Sequence, residues 1–361
     1  MDIGLCWASK IDDIDYVVEA ERLGFSHLWA ADSQMIWSDC YAAMALAAKA
    51  TTTMQIGTGV AVAGTRPAAV TAAGHATINQ LAPGRVFCGI GTGNTAMRIM
   101  GHKPIPIREF GGYLRELRSL LDGKETEVTF RGATAPTKHL MPEHGFVNFK
   151  DRMPMYVSAF GPKAMAIAAQ LGDGLVMSVP PVPAAVAATW SRLRAAADAV
   201  GRSISPQDFL TCTLTTMVVL ADGEPVDSGR VRDECGAFAI AGLHYAYEQA
   251  RQLGRNVSGF DPDLWQEYVA MLERIPEDRR HMRVHAGHNC WVEPEEERFI
   301  TPELIERTCL VGTPDQLVAR LRALEEAGLS QVMILPPLAP KEKVLADVGT
   351  KIIARLRHGV A

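Results

Sequence analysis

Short apolar runs recur along the chain, with amphipathic stretches between them. The runs predict strands at Ile3–Trp7, His27–Ala31, Gln55–Val62, Arg85–Gly89, Met155–Ala159, Gly174–Met177, Leu210–Leu220 and Gln331–Leu335. Most are continuous rather than alternating, as in parallel strands covered on both faces. Between them, Phe110, Tyr113, Leu114, Leu117, Leu120 and Leu121 repeat at helical spacing. Thr313, Pro314 and Gln316 predict a capping box with proline at the first helical position, and Gly328 a left-handed stop. The helix–glycine–strand joint of Glu21–Leu28 returns at Glu325–Val332, and more loosely at Gln170–Leu175. Eight strands with recurring joints predict an α/β fold, a (β/α)8 TIM barrel with insertions, over an open sheet.

Two stretches break the alternation. Residues 125–152 read as a loop with short extra strands around Phe130, Phe146 and Phe149. Residues 223–310 read as a long insertion between strands seven and eight, with helices near Val231–Leu253 and Pro262–Leu272. Long excursions in compact domains are usually caps or lids. No low-complexity linker separates either stretch, so residues 1–361 are read as one barrel domain.

Composition narrows the class. Of 361 residues, 48% are hydrophobic and 21% charged, which supports a large core and excludes global disorder. A net charge of −5 offers no broad attraction to nucleic acid or anionic membrane. The seven cysteines form no C-x-x-C pair, as in a reducing compartment. The uncharged stretch Gly174–Ser191 is broken by Pro180, Pro181 and Pro183, and Pro67–Gly84 carries His75, Asn79 and Gln80, so neither reads as a membrane span. The first ten residues lack a basic region and apolar leader, and a cytoplasmic location is expected.

In a parallel barrel, chemistry sits where strands end. Gly91-Thr92-Gly93-Asn94-Thr95-Ala96 fits the dinucleotide pattern G-x-G-x-x-A, but Pro104 and Pro106 interrupt the long helix that pattern should open. Its glycines read either as close approach to a flat or anionic ligand or as a tight turn. Ser158–Lys163 predicts a strand, a small-residue turn and a helix starting at Pro162, whose N–H groups suit a phosphate or simply make an ordinary turn. His281, His285 and His288 fall in the insertion without the H-E-x-x-H order, so no metal site is expected and His288 becomes a candidate to reach substrate from a lid. Cys88, mid-strand, reads as core. No G-x-S-x-G elbow or P-loop supports a hydrolase or NTPase. Trp7, Trp29 and Trp37 either line a pocket or pack in the core.

Taken in order, several motifs resemble the bacterial luciferase-like superfamily, and within it the branch using the deazaflavin F420. They are Ala31-Asp32-Ser33, Ile56–Val60, Arg85–Asn94, Met155–Pro162, Gly172–Gly174 and Val311–Asp315. The resemblance implies a flavin or deazaflavin across the C-terminal mouth of the barrel and a bulged third strand with a cis Gly59-Val60 link behind the ring. It implies a cofactor set of Asp32, Gly59, Val60, Thr92, Asn94, Ala159, Phe160, Gly161, Pro162 and Ser178. It also departs from the branch. Sugar-phosphate dehydrogenases carry a histidine and a glutamate where this chain has Ser33 and Asn94. The methylenetetrahydromethanopterin reductases carry acids where it has Cys6 and Asn94. The expected function is hydride transfer between F420 and a small organic substrate. Asn94 and His288 are the expected catalytic residues, with His244 as the alternative histidine. Two other readings stand beside it. One is an FMN-dependent monooxygenase using oxygen and a separate flavin reductase, and the other a non-catalytic flavin-binding protein. By resemblance the enzyme is a homodimer.

Overall fold

In the computed structural model, which describes residues 1–178, 180–254 and 260–358, eight parallel strands close into a barrel. They are β1 (Asp2–Trp7), β2 (His27–Ala30), β3 (Gln55–Thr58), β4 (Val86–Gly91), β5 (Met155–Ser158), β6 (Gly174–Met177), β7 (Leu210–Thr215) and β8 (Gln331–Ile334). Each pairs with the next, and β8 returns to β1 in the register Asp2 to Gln331. Helices cover the outside, and the interior-facing side of the strands is almost wholly buried. The short apolar runs become strands because both faces of each are covered. The Thr313 capping box forms, Pro314 opens its helix, and Gly328 stops it at a φ of 103°.

The lower barrel is plugged by side chains. Trp29 Nε1 donates to Gln331 Oε1 at 2.8 Å, and Gln331 Nε2 donates to His27 Nδ1 at 2.8 Å. The Trp29 and Phe87 rings pack with centroids 4.4 Å apart. Gly89 makes this packing feasible, since a Cβ there would sit 2.1 Å from the Thr58 carbonyl oxygen. Trp7 and Trp29 are buried core residues, and Cys88 is fully buried as well, its thiol pushed up to about 12 by burial.

Three strand boundaries differ from the sequence pattern. The run Gln55–Val62 splits into β3 and a two-residue strand, Ala61–Val62, with a cis Gly59-Val60 peptide between them. The run Leu210–Leu220 also splits. Its first part is β7, while Met217–Val219 leaves the barrel and pairs with Leu310–Gly312. β4 reaches Gly91 because glycines let it pass close to the Val60 side chain. Of the extra strands expected in residues 125–152, Thr126–Phe130 and Ala133–Thr137 form an antiparallel hairpin, whereas Phe146 and Phe149 lie outside any strand.

Between Met217–Val219 and Leu310–Gly312 the described residues build four helices, Gly229–Leu253, Pro262–Glu273, Glu277–Val284 and Pro302–Thr308, and a short turn at Pro294–Phe299. They enclose an apolar cluster of their own, centred on Val231, Tyr268, Leu272 and Phe299. This cap gains burial internally and presents one side of its long helix to the barrel mouth.

Candidate active site

A cavity of about 580 Å³ opens at the C-terminal ends of the strands, beneath the cap. That volume falls within the roughly 300–1,000 Å³ range of small-molecule sites. Its floor is the top of the barrel plug, including Cys6, Val176, Met333 and Leu335. Its walls come from strand-end loops, and its roof from the cap helix and the loop around His288.

The β2 end contributes Asp32, which is 4% exposed. Its carboxylate is used within the wall: Oδ2 accepts from Val62 N at 3.2 Å and pairs with Arg66 at 2.5 Å. Arg66 also reaches Asp39 at 3.3 Å and lies over the Tyr41 ring. This brace holds the segment following Gly59-Val60 against the barrel. The β4 end contributes the glycine turn. Gly93 has a φ of 86°, and a Cβ there would lie 2.5 Å from Val62 Cγ1, so both conformation and space require glycine. The helix that follows, Asn94–Arg98, is only five residues long. A dinucleotide-type fingerprint needs a long helix at this point, so that reading is set aside.

Asn94 is held from behind. Its Oδ1 accepts from Arg98 Nε at 2.7 Å, which leaves the amide NH2 as the donor. Arg98 Nε also lies 3.3 Å from Glu248 Oε2 on the cap helix. Glu248 Oε1 in turn accepts from His285 Nε2 at 2.8 Å. The next loop residues bring His288 to the cavity, 4% exposed, against Trp37, Tyr245 and His285, with ring centroids 5.7, 6.2 and 5.3 Å away. Burial, followed by the neighbouring His285 and His244, holds the His288 imidazole well below its usual titration range. Its Nδ1 has no hydrogen-bond partner among the described residues. The cap is also tied to the β4 turn through Thr95 Oγ1 and Tyr245 OH, 3.0 Å apart.

The cavity thus brings together Asp32, Gly59, Val60, Thr92, Asn94, Phe160, Ser178 and His288. It does not bring in Ala159, buried in the barrel core, or Gly161 and Pro162, which start the helix Pro162–Leu171 just outside the described lining. His244 lies away from it, bonded through Nε2 to Glu296 at 3.0 Å inside the cap. Of the three tryptophans, only Trp37 reaches the cavity. His285 and His288 pack against each other while His281 lies beside Gly101, and no group of His, Cys, Asp and Glu suited to a metal ion occurs among the described residues. Sequence reasoning missed Asn289, Tyr245, Arg98 and Glu248. Only the Asn94–Arg98 spacing, one helical turn, was a readable signal.

The lining also fits a flat tricyclic cofactor. Gly59, Gly91 and Gly93 leave the wall beside Val60 bare, and a Cβ at Gly91 would come 3.0 Å from Val60 and 3.3 Å from Ser158. Near Phe160, Gly161 borders open space and the helix start at Pro162 has no side-chain cap, so its N–H groups would suit a cofactor phosphate.

Comparison with known proteins agrees with the fold. The luciferase-like monooxygenase family matches residues 11–331. The chain is similar to the 5,10-methylenetetrahydromethanopterin reductase of Archaeoglobus fulgidus, 26% identical over 96% of this chain and 97% of that one. It is also similar to the F420-dependent glucose-6-phosphate dehydrogenase of Amycolatopsis mediterranei, 30% identical over 96% of this chain and 94% of that one. Among solved structures, the coenzyme F420 dependent tetrahydromethanopterin reductase from Methanopyrus kandleri superposes with a TM-score of 0.68 at 18% identity, covering 98% of both chains.

Proposed function

The chain belongs to the luciferase-like monooxygenase family, and from that premise we propose that it is an oxidoreductase passing a hydride between coenzyme F420 and a small organic substrate. The observation that carries this reading is one cavity lined both by the glycines at the ends of β3 and β4 and by buried His288. The similar F420-dependent glucose-6-phosphate dehydrogenase, aligned over 96% of this chain, supports the choice of cofactor.

When bound, F420 supplies the hydride chemistry at its ring. The protein's residues do the rest. Gly59, Val60, Gly91 and Gly93 would back the ring. Asn94, oriented by Arg98, donates a hydrogen bond toward the ring or substrate. Thr92, Phe160 and Ser178 would flank the cofactor's tail, and Ala159, Gly161 and Pro162 form the turn and helix start where its phosphate would rest. Asp32 acts through the brace that fixes Val62. His288, kept neutral by burial, can take a proton from substrate or return one. The cap excludes water from this exchange. A homodimer is carried into the proposal on family resemblance, and a cytoplasmic location on the seven unpaired cysteines, which suit a reducing compartment.

Parallel titration with F420 and FMN, followed by anaerobic and aerobic mixing of the reduced complexes with substrates, tests the reading. Selective F420 binding with oxygen-independent transfer is expected. Selective FMN binding with oxygen consumption would replace it with a monooxygenase served by a separate reductase. Tight binding without any turnover would leave a flavin-binding protein.

A further inference from the structure

The loop after β2 lies on the cavity rim and is held there against two local costs. Ser33 and Trp37 line the cavity, and the chain turns tightly between them. Ile36 N and Trp37 N both donate to the Ser33 carbonyl, at 3.1 and 3.2 Å. Met35, the third residue of the turn, has a φ of 72°. A turn that is left-handed at its third residue ordinarily carries glycine or asparagine there. With methionine, the Cβ crowds the following carbonyl oxygen. The side chain recovers nothing by packing, since Met35 is 83% exposed. The second cost falls on its neighbour. Gln34 Oε1 is buried without a hydrogen-bond partner among the described residues, and a carboxamide oxygen in that state is worse off than in water.

The bonds that hold the turn in place are few and polar. Gln34 Nε2 donates to the Ala96 carbonyl at 3.1 Å and lies 3.5 Å from Met100 Sδ. Ala96 belongs to the short helix Asn94–Arg98 that follows β4. β3 stands between β2 and β4 in the barrel, so the Gln34 side chain straps one strand-end loop to another across the end of β3. At its other end the loop is footed on the barrel and the cap. Ser38 N donates to the Ser9 carbonyl at 2.9 Å, and Trp37 Nε1 donates to Cys290 Sγ at 3.3 Å.

An outward swing of the turn would remove both costs at once. Met35 would return to a negative φ, and Gln34 Oε1 would meet water. The same swing would draw Ser33 and Trp37 out of the cavity lining. Strain of this kind persists where the surroundings over-determine it, and it gathers at ligand clamps and switches. A ligand lying against Trp37 would touch that ring only in the closed arrangement, and so would bias the loop toward it.

We propose that residues 33–37 form a gate on the cavity rim, opening outward to admit a ligand and drawn shut over it by the Gln34 strap and the Trp37 ring. The identity of the ligand rests on the F420 reading, whereas the opening of the turn belongs to the free chain. Two opposed consequences follow from the geometry. Relieving the backbone at Met35 favours the closed gate, and cutting the strap at Gln34 favours the open one.

The test uses the full chain and two measurements. Stopped-flow fluorescence follows F420 association and dissociation. Amide hydrogen exchange at Ile36 and Trp37 reads the opening of the turn without any ligand. Met35→Asn suits the left-handed position, and it should slow both F420 dissociation and the exchange of the two amides by about threefold to fivefold. Met35→Ala removes the thioether but keeps the Cβ, so both rates should stay at the wild-type value. Gln34→Ala should speed both by about threefold to tenfold. Rates indifferent to Met35→Asn and Gln34→Ala, or Met35→Ala behaving as Met35→Asn does, would overturn the gate. Exchange that responds while F420 dissociation does not would show a turn that opens without gating the ligand, and would overturn it equally. A wild-type chain that binds no F420 would overturn the cofactor assignment instead. Dissociation would then be read with FMN, and the exchange measurement would decide the opening of the turn unaided.

Discussion

Asp32 lines the cavity, yet its charge is spent inside the wall on Arg66 and Val62 N. Removing one partner of a buried pair leaves the other uncompensated, which costs about 3–5 kcal/mol when both are fully buried. Arg66 retains 21% side-chain exposure, so water offsets part of this. Asp32→Ala is therefore expected to lower stability by about 1–3 kcal/mol, read as a lower urea midpoint. It should weaken F420 binding as well, because the Val62 segment loses its anchor. His288 is the contrasting residue, since it lines the cavity without an ion-pair partner among the described residues and burial keeps it neutral. His288→Ala should cut turnover by about a hundredfold, in the usual range for a general acid or base, while F420 affinity stays within twofold or so. Wild-type turnover in that variant would remove His288 from the chemistry.

One carboxylate joins three elements. Glu248 on the cap helix accepts from His285 and faces Arg98, which holds Asn94 at the β4 end. None of its atoms lines the cavity. Glu248→Ala should nevertheless lower turnover, because both the Asn94 amide and the His285–His288 loop lose their reference point. It should also destabilise the fold by about 3–5 kcal/mol, since Arg98 and His285 would be left buried without their anion. Kinetics and urea unfolding of Glu248→Ala and Glu248→Gln separate the two effects. Unchanged turnover in both would show that the network only supports the cap. The barrel itself was legible in the chain because its strands are buried on both faces and its helices announce their ends, as at Thr313 and Gly328. The breaks at Gly59 and Thr216 were not, because apolar residues continue on both sides of each and hydrophobicity carries no record of where a strand changes partner. The cofactor wall was legible through its glycines. The Glu248 network was not, because 150 residues separate Arg98 from Glu248 and nothing local in sequence records that they meet.

At the scale of the whole molecule, buried histidines set a pH limit on stability. His27 sits in the barrel plug and His75 on the helix Ala68–Leu81, and burial lowers both to about 4 from an ordinary 6.5. Local bonding agrees. His27 Nδ1 already receives a hydrogen bond from Gln331, so a proton there would face another donor. His75 Nδ1 donates to the Thr71 carbonyl at 2.8 Å. Both are neutral in the folded protein, whereas the unfolded chain takes up protons as pH drops below about 6.5. Stability from this source is fully present above that value. It is lost as pH falls toward 4, at about 1.4 kcal/mol per pH unit for each histidine. Urea midpoints measured between pH 7.5 and 4.5 should therefore stay level at first and then decline. His75→Gln and His27→Gln should each flatten the decline by about one histidine's share, even where they lower stability at neutral pH. An unchanged slope in both variants would mean that these imidazoles already carry their protons in the folded barrel. Since His27 and His75 lie in the barrel while the cap encloses its own core, acid should loosen the strands beneath the cofactor wall directly. Cofactor affinity should then fall over the same pH interval as stability.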